Sequence, residues 1–422
     1  MTSVPINSDR LLNELRTLAT FSEPAAEGAE KPGDTAVTRI VFTERDREAR
    51  VWLAAQAEAA GLTIHADAVG NTFFRWQGSE PTLPAVATGS HIDAIPNAGM
   101  YDGTVGVLGG LEAIRALQAA GFTPRRSIEL ILFTSEEPTR FGIGCLGSRV
   151  MGGVLSAQSA ETLRDKDDKT IDEVRSAAGF TAPLLDAKLP QGHYAHFVEL
   201  HIEQGPILER EGLDIGIVTA IAAPASSRIT IEGEGGHAGA MLMPVRHDAL
   251  AAASEVILAV EAAALATHAI DTVATVGMCD VFPGAVNSVP SRVRLSLDVR
   301  DIDEARRDKV LADIQHACAG TAAKRGVTIS TEVINSDAPA SCSSQILDAI
   351  EAACNEERAK SQRMVSRAYH DSLFMARICP IAMIFIPCRG GVSHRPDEYS
   401  TPEAIAQGTR ILAKTLATLS SI

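Results

Sequence analysis

The chain has 422 residues, of which 45% are hydrophobic, 22% charged and only 4% aromatic. That length and content support a large core without metal or disulfide staples, suggest two or three domains, and exclude wholesale disorder. Lys and Arg number 38 against 53 Asp and Glu, a formal net charge of −15, so the basic stripe of a nucleic-acid binder is missing, while a local positive site for a small anion stays open.

The first twenty residues, MTSVPINSDRLLNELRTLAT, lack the basic start and apolar run of a secretory leader. No apolar run approaches the ~20 residues of a membrane span, since the longest candidate, residues 249–270, carries Glu255, Glu261 and His268. Seven cysteines without a CxxC pair read as reduced thiols. The expectation is a cytoplasmic protein that engages neither membrane nor nucleic acid.

From about residue 36 to 212, apolar strand-like runs alternate with helical patterns. Residues 84–87 lead into GSHID, a Gly/Ala-rich helix spans 103–120 and stops at Gly121, residues 127–133 (SIELILF) lead into TSEE, and 196–200 lead into HIEQG. This alternation predicts an α/β layer with a mostly parallel sheet. From about 214 the texture changes. Residues 228–232 alternate, a helix follows from His247, and a strand is predicted near 273–282. Val293, Leu295, Leu297 and Val299 then interleave with Arg294, Ser296, Asp298 and Arg300, a helix ends near Gly326, and residues 327–333 alternate again. The order βαββαβ is that of a ferredoxin-like α+β unit. Residues 381–387 (IAMIFIP) resume the buried-strand pattern. The plan is a catalytic domain of residues 1–213 and 334–422, interrupted by a smaller domain at 214–333.

Polar residues gather behind these runs. His91 and Asp93 form an H-x-D step, Asp102 lies in YDG, Glu136 and Glu137 follow SIELILFTS, His201 sits in ELHIEQG, and His394 follows IAMIFIP in GGVSHRP. The carboxyl edge of an open α/β sheet is where ligands collect. Imidazoles and carboxylates without thiolate suit zinc, manganese or cobalt. Two divalent ions need one bridging carboxylate, for which Asp102 is the candidate. His91 and His201 would complete one ion, and Glu137 and His394 the other. Asp93 is placed to hold the second nitrogen of His91, and Glu136 to accept a proton from the attacking water. A single strand-end histidine is more often structural than a ligand; the conjunction of five such positions reverses that.

The series GSHIDAIPNAGMYDG, TSEEPTRFG, ELHIEQGP, GEGGHAGAMLMP, NSVPSRVRLSLDVR and MIFIPCRGGVSHRPDEYS resembles the hydantoinase/carbamoylase branch of the dimetal aminoacylase and carboxypeptidase superfamily, from about residue 8 to 415. The resemblance implies that His91, Asp102, Glu137, His201 and His394 bind two divalent ions, Mn²⁺ or Zn²⁺ with Co²⁺ as a further candidate, and that Glu136 is the general base. It implies a catalytic domain split by a lid that mediates a homodimer, with His237 of GGHAG stabilising the oxyanion in the partner's site. It further implies that Gln204, Asn287 and Arg300 hold the carboxylate and ureido group of a small substrate. Arg300 also ends an alternating strand on its polar face, where a guanidinium can grip a carboxylate bidentately; without the resemblance it reads as an ordinary surface arginine.

Within the branch, SRAYHDSLFMARICP discriminates. Many relatives carry glycine before the His-Asp step, where this chain has Tyr369, one of only four tyrosines, before His370 and Asp371. A tyrosine there fills volume and adds a hydroxyl, and the run is similar to that of ureidoglycolate amidohydrolases. The expected reaction is hydrolysis of (S)-ureidoglycolate to glyoxylate, ammonia and carbon dioxide in purine breakdown. Allantoate amidohydrolase and N-carbamoyl-L-amino acid hydrolase are the alternatives, with a non-catalytic metabolite-binding relative more distant. Cys145 and Cys388 read as small buried thiols.

Overall fold

The protein, described from a computed structural model, is defined over residues 4–29, 31 and 33–422. It divides into two compact units, one made of Met1–Thr219 and Ser341–Ile422, the other of Ala220–Ala340.

The first unit is built on a nine-stranded sheet. Its four central strands, Ile381–Ile386, Tyr194–Ile202, Ala85–Ser90 and Ile128–Leu132, run parallel in that order. All but one of their residues are buried. Apolar runs of this kind form where helices cover both faces of a sheet, because no polar face is then required. Outward from this centre, Thr72–Trp76 joins Ile128–Leu132 and Ile215–Ile221 joins Ile381–Ile386, both antiparallel. The sheet is therefore mixed, and the mostly parallel arrangement expected from strand–helix alternation is confined to its middle. The flanking strands Thr63–Ala66 and Thr72–Trp76 are joined by a short turn instead of a crossover helix, which permits antiparallel pairing. Because Ile215–Ile221 pairs into this sheet, the chain leaves the first unit at 219–220 and returns at 340–341, later than the 213–214 and 333–334 expected from texture.

Helices Thr104–Ala119 and Pro402–Ser420 pack into the same apolar cluster as the central strands, with Leu108, Leu111, Leu412 and Leu416 meeting Val86, Leu130, Leu200 and Ile384. Truncating one such leucine to alanine costs about 2–5 kcal/mol. Glycine brings the first helix close: a Cβ at Gly106 would lie 2.4 Å from the Leu200 carbonyl oxygen. The close approach sets the helix N-terminus, and Asp102 just before it, over the strand ends.

The second unit has a four-stranded antiparallel sheet in the order Val273–Phe282, Arg292–Asp301, Ala223–Glu232, Thr328–Ser336. Helices Ala249–Leu265 and Glu304–Arg325 share its apolar cluster with Ile229, Ile231, Val293, Leu295, Leu297 and Val299. Arg294, Ser296, Asp298 and Arg300 take the other face, as the pleat requires. Among the described residues, no helix is long and apolar enough to cross a membrane.

Candidate metal centre

Three of the site segments lie beyond the carboxyl ends of central strands. His91 comes immediately after Ala85–Ser90, Glu136 and Glu137 lie just past Ile128–Leu132, and His394 lies beyond Ile381–Ile386. His201 is the penultimate residue of Tyr194–Ile202, and Asp102 stands two residues before helix Thr104–Ala119 and not at a strand end. Gly103, at φ 67°, separates Asp102 from that helix; a Cβ there would lie 2.4 Å from the His91 ring.

The five expected ligands come together as two groups that share Asp102. Donor atoms of His91, Asp102 and His201 lie within 4.8 Å of one another, as do those of Asp102, Glu137 and His394. Asp102 Oδ1 is 3.1 Å from His201 Nε2 and 3.7 Å from His91 Nε2, while Oδ2 is 3.2 Å from His394 Nε2. His394 Nε2 is also 3.2 Å from Glu137 Oε1. Ligands about 2.1 Å from a tetrahedral ion stand roughly 3.4 Å apart, so these spacings fit a metal position on each side of Asp102.

The histidines are oriented for that role. His91 Nδ1 lies 3.0 Å from the Asp93 carbonyl oxygen, and His201 Nδ1 lies 2.9 Å from the Ile202 carbonyl oxygen. A carbonyl only accepts, so each Nδ1 donates and Nε2 is the nitrogen turned toward Asp102, able to donate a proton to it or, once deprotonated, to offer its lone pair to a cation. The electrostatics point the same way. Burial opposes charge on His91, yet Glu136, Asp102 and Asp93 outweigh it and push the imidazole well above its ordinary range. Contacts with Asp102 and Glu137 raise His394 to about 11. Burial would raise Asp102, but hydrogen bonds from His201, His394 and His91 hold it well below the usual carboxylate range. The cluster demands positive charge at its centre, which protons or divalent cations can supply.

The Asp93 carboxylate does something other than clamp His91. Its Oδ1 and Oδ2 accept the backbone N–H groups of Glu136 and Glu137 at 3.2 and 3.0 Å, while Oδ1 stays 3.7 Å from His91 Nδ1. Asp93's own carbonyl already occupies that ring nitrogen, so the carboxylate is left for the backbone of the Glu136–Glu137 turn. Glu136 follows Ser135, whose φ of 56° turns the chain sharply. Its Oε2 lies 3.8 Å from His91 Nε2, and its Oε1 accepts from the Cys145 thiol at 3.3 Å. Burial first, then Glu137, Asp371 and Asp93, push Glu136 well above the usual carboxylate range against the pull of His91.

The remaining expected residues divide by unit. Gln204, at φ 55°, donates from Nε2 to Asp102 Oδ2 at 2.8 Å. The His370 ring stands 4.6 Å from the His201 ring, with Nε2 3.0 Å from Ser366 Oγ. The Tyr369 hydroxyl accepts from Arg149 Nη2 at 3.1 Å, and that guanidinium lies 4.2 Å from the Phe374 ring centre. In the second unit, His237 pairs with Ser288 in a short ladder, and the Ala238 N–H donates to the Asn287 carbonyl oxygen at 2.9 Å. Arg300 donates from Nε to Asp298 Oδ1 at 2.7 Å.

Several participants escape the sequence reading. Glu398 accepts the N–H groups of Tyr101 and Asp102, and Ser393 Oγ touches both Asp102 and Glu398. Burial, with Asp102 adding to it, raises Glu398 to about 7. Glu199 accepts from Ser90 and Ser372, and Asp371 accepts from Ser148. Glu199 did leave a signal, as the one acid in the apolar run YAHFVELHI.

Comparison with known proteins follows the same lines. The model of peptidase family M20/M25/M40 matches residues 87–418. Ureidoglycolate hydrolase of Arabidopsis thaliana is 51% identical over 427 residues, covering 99% of this chain and 88% of that protein. The structure of AtUAH in complex with glyoxylate aligns with a TM-score of 0.86 at 50% identity over 99% of both chains. That of an amidase of the hydantoinase/carbamoylase family from Burkholderia multivorans gives 0.88 at 34% identity, again over 99% of both. This chain therefore belongs to peptidase family M20/M25/M40, in its hydantoinase/carbamoylase branch.

Proposed function

We propose that this protein is a dinuclear metal-dependent amidohydrolase that cleaves the ureido C–N bond of (S)-ureidoglycolate. The observation that carries the reaction type is Asp102 shared between two ligand groups, one oxygen toward each. Similarity to ureidoglycolate hydrolase over nearly the whole chain supports the substrate, and so does Tyr369 before His370, whose ring and hydroxyl suit a small polar substrate better than a bulky one.

Two divalent cations, Mn²⁺ or Zn²⁺, would be held by His91, Asp102 and His201 and by Asp102, Glu137 and His394, where they would polarise the ureido carbonyl and acidify water. Glu136 takes the proton of the attacking water; its Oε1 is fixed by Cys145, which leaves Oε2 facing the donors. Burial favours its protonated form, so the same carboxyl can hand that proton to the leaving nitrogen. Water adds to the carbamoyl carbon and the C–N bond breaks, giving carbamate and hydroxyglycine. Carbamate yields carbon dioxide and ammonia, and hydroxyglycine yields glyoxylate and a second ammonia. Asp93 keeps Glu136 and Glu137 in register throughout.

In the second unit, His237, Asn287 and Arg300 carry the oxyanion- and substrate-binding roles that the resemblance implies. A homodimer through this unit is supported by its edge strand Val273–Phe282, on which Val273, Met278 and Phe282 are exposed.

The test is Mn²⁺-loaded protein offered ureidoglycolate, allantoate and N-carbamoyl amino acids in parallel, with ammonia and glyoxylate measured. Ureidoglycolate should give the highest kcat/KM; faster turnover of allantoate would overturn the substrate assignment.

A further inference from the structure

Of the five expected ligands, four are sealed and one is not. Side chains of His91, Asp102, Glu137 and His201 are at most 7% exposed, whereas His394 is 46% exposed. His394 also adopts φ 59°, a conformation its own backbone does not favour. It sits on the stretch between Ile381–Ile386 and Pro402–Ser420, so its position depends on what anchors that stretch.

The anchor is Glu398. Buried to 4% exposure, it accepts two backbone N–H groups on Oε1, from Tyr101 at 2.9 Å and Asp102 at 3.0 Å. Its Oε2 meets Ser393 Oγ at 2.9 Å, and the same hydroxyl lies 2.7 Å from Asp102 Oδ2. One side chain thus ties the residue before His394 to the backbone and carboxylate of Asp102. Space is reserved for it, since a Cβ at Gly99 would fall 2.3 Å from Glu398 Cβ and 2.5 Å from its Oε1. A second clasp reinforces the stretch: the Arg389 N–H donates to the Tyr399 carbonyl oxygen, and the Tyr399 ring meets Tyr101 edge-on at 6.0 Å. Glu398 belongs to neither ligand group around Asp102.

We propose that Glu398 is a positioning residue that clamps Asp102 to the His394 segment, and that it sets the affinity of the exposed half of the centre, Asp102–Glu137–His394, with little effect on the sealed half. The inference rests on the dinuclear reading above. It makes the two positions unequal, the His394 half being the one that loses its ion first.

The experiment titrates metal-stripped full-length protein with Mn²⁺ by calorimetry and counts bound Mn²⁺ after desalting. Wild type should take up two equivalents. Glu398→Ala should weaken one equivalent by about tenfold or more, the usual scale for losing a group that orients a ligand, and leave the other near its wild-type affinity. Its kcat should fall at limiting Mn²⁺ and recover in excess, with KM unchanged. Glu398→Gln should restore binding, because the amide oxygen can accept both N–H groups while the amide nitrogen donates to Ser393. Ser393→Ala, which leaves Glu398's backbone contacts intact, should weaken the same equivalent less and serves if Glu398→Ala fails to fold, as judged from the melting of the metal-free protein. His394→Ala should lose that equivalent too, and adding Glu398→Ala to it should change little. Wild-type affinity for both equivalents in Glu398→Ala and Ser393→Ala overturns the inference, as does equal weakening of both equivalents. Wild type binding fewer than two equivalents overturns the dinuclear reading itself, and this inference with it.

Discussion

At Asp93, stability and function are expected to respond differently to substitution, because its carboxylate accepts two backbone N–H groups while being itself costly to bury. Replacing it with alanine leaves the N–H groups of Glu136 and Glu137 without an acceptor, and each buried orphan costs about 1–3 kcal/mol. Against that stands the burden of the carboxylate itself, whose pKa burial pushes up to about 6. A folded pKa above the unfolded value means that the ionised group opposes folding at neutral pH, here by about 3 kcal/mol for roughly two units. That opposition is relieved as pH falls through 6 toward the unfolded value. The two effects largely offset, so Asp93→Ala should change stability at pH 7 in urea denaturation by between a gain of about 1 and a loss of about 3 kcal/mol. Activity has no such offset. With the turn from Ser135 to Glu137 released, the base and a metal ligand both lose their register, and kcat should drop about 10–100-fold. Asp93→Asn should fall between, since its amide offers one acceptor and turns a donor toward the other N–H. Stability, kcat and bound Mn²⁺ would be measured on the same preparations. If Asp93→Asn and Asp93→Ala both keep kcat within twofold, the carboxylate does not organise the Glu136–Glu137 turn and the argument fails.

Other outcomes follow from the same geometry. Glu136→Gln should keep its bound metal but lose about 10²–10⁴ in kcat; near-normal turnover would remove Glu136 from the proton path. Because Asp102 and Glu137 hold His394 at about 11 in the metal-free protein, an entering cation must displace its proton. Mn²⁺ affinity should therefore rise with pH between 6 and 9, with proton release visible in calorimetry across buffers of different ionisation heat; pH-independent binding would contradict the ligand set. Tyr369→Gly should raise the ratio of allantoate to ureidoglycolate turnover, and an unchanged ratio would take Tyr369 out of substrate selection. That variant also leaves Arg149 without the hydroxyl it donates to, so its melting temperature should be followed in parallel.

The sequence by itself determined the buried strands and the chemistry that trails them. Runs such as SIELILF and IAMIFIP have no polar face to show to water, so they had to lie inside a layered sheet, and the His, Asp and Glu residues behind them had to gather at one edge. The alternation of Val293, Leu295, Leu297 and Val299 with Arg294 to Arg300 likewise follows from the two-residue period of a strand. Other features depended on contacts between distant segments. Whether an outer strand pairs parallel or antiparallel depends on its connection and its neighbour, which local texture does not encode. The true work of Asp93 was hidden because its competitor for His91 is a backbone carbonyl, a group every residue carries. Glu398 looked like one more acid in a charged loop, and only the fold sets it beneath Asp102, 296 residues away in the chain. Residue identity sets which chemistry is available; the tertiary structure decides which carboxylate meets which donor, because hydrogen-bond partners are chosen by position and burial, not by type.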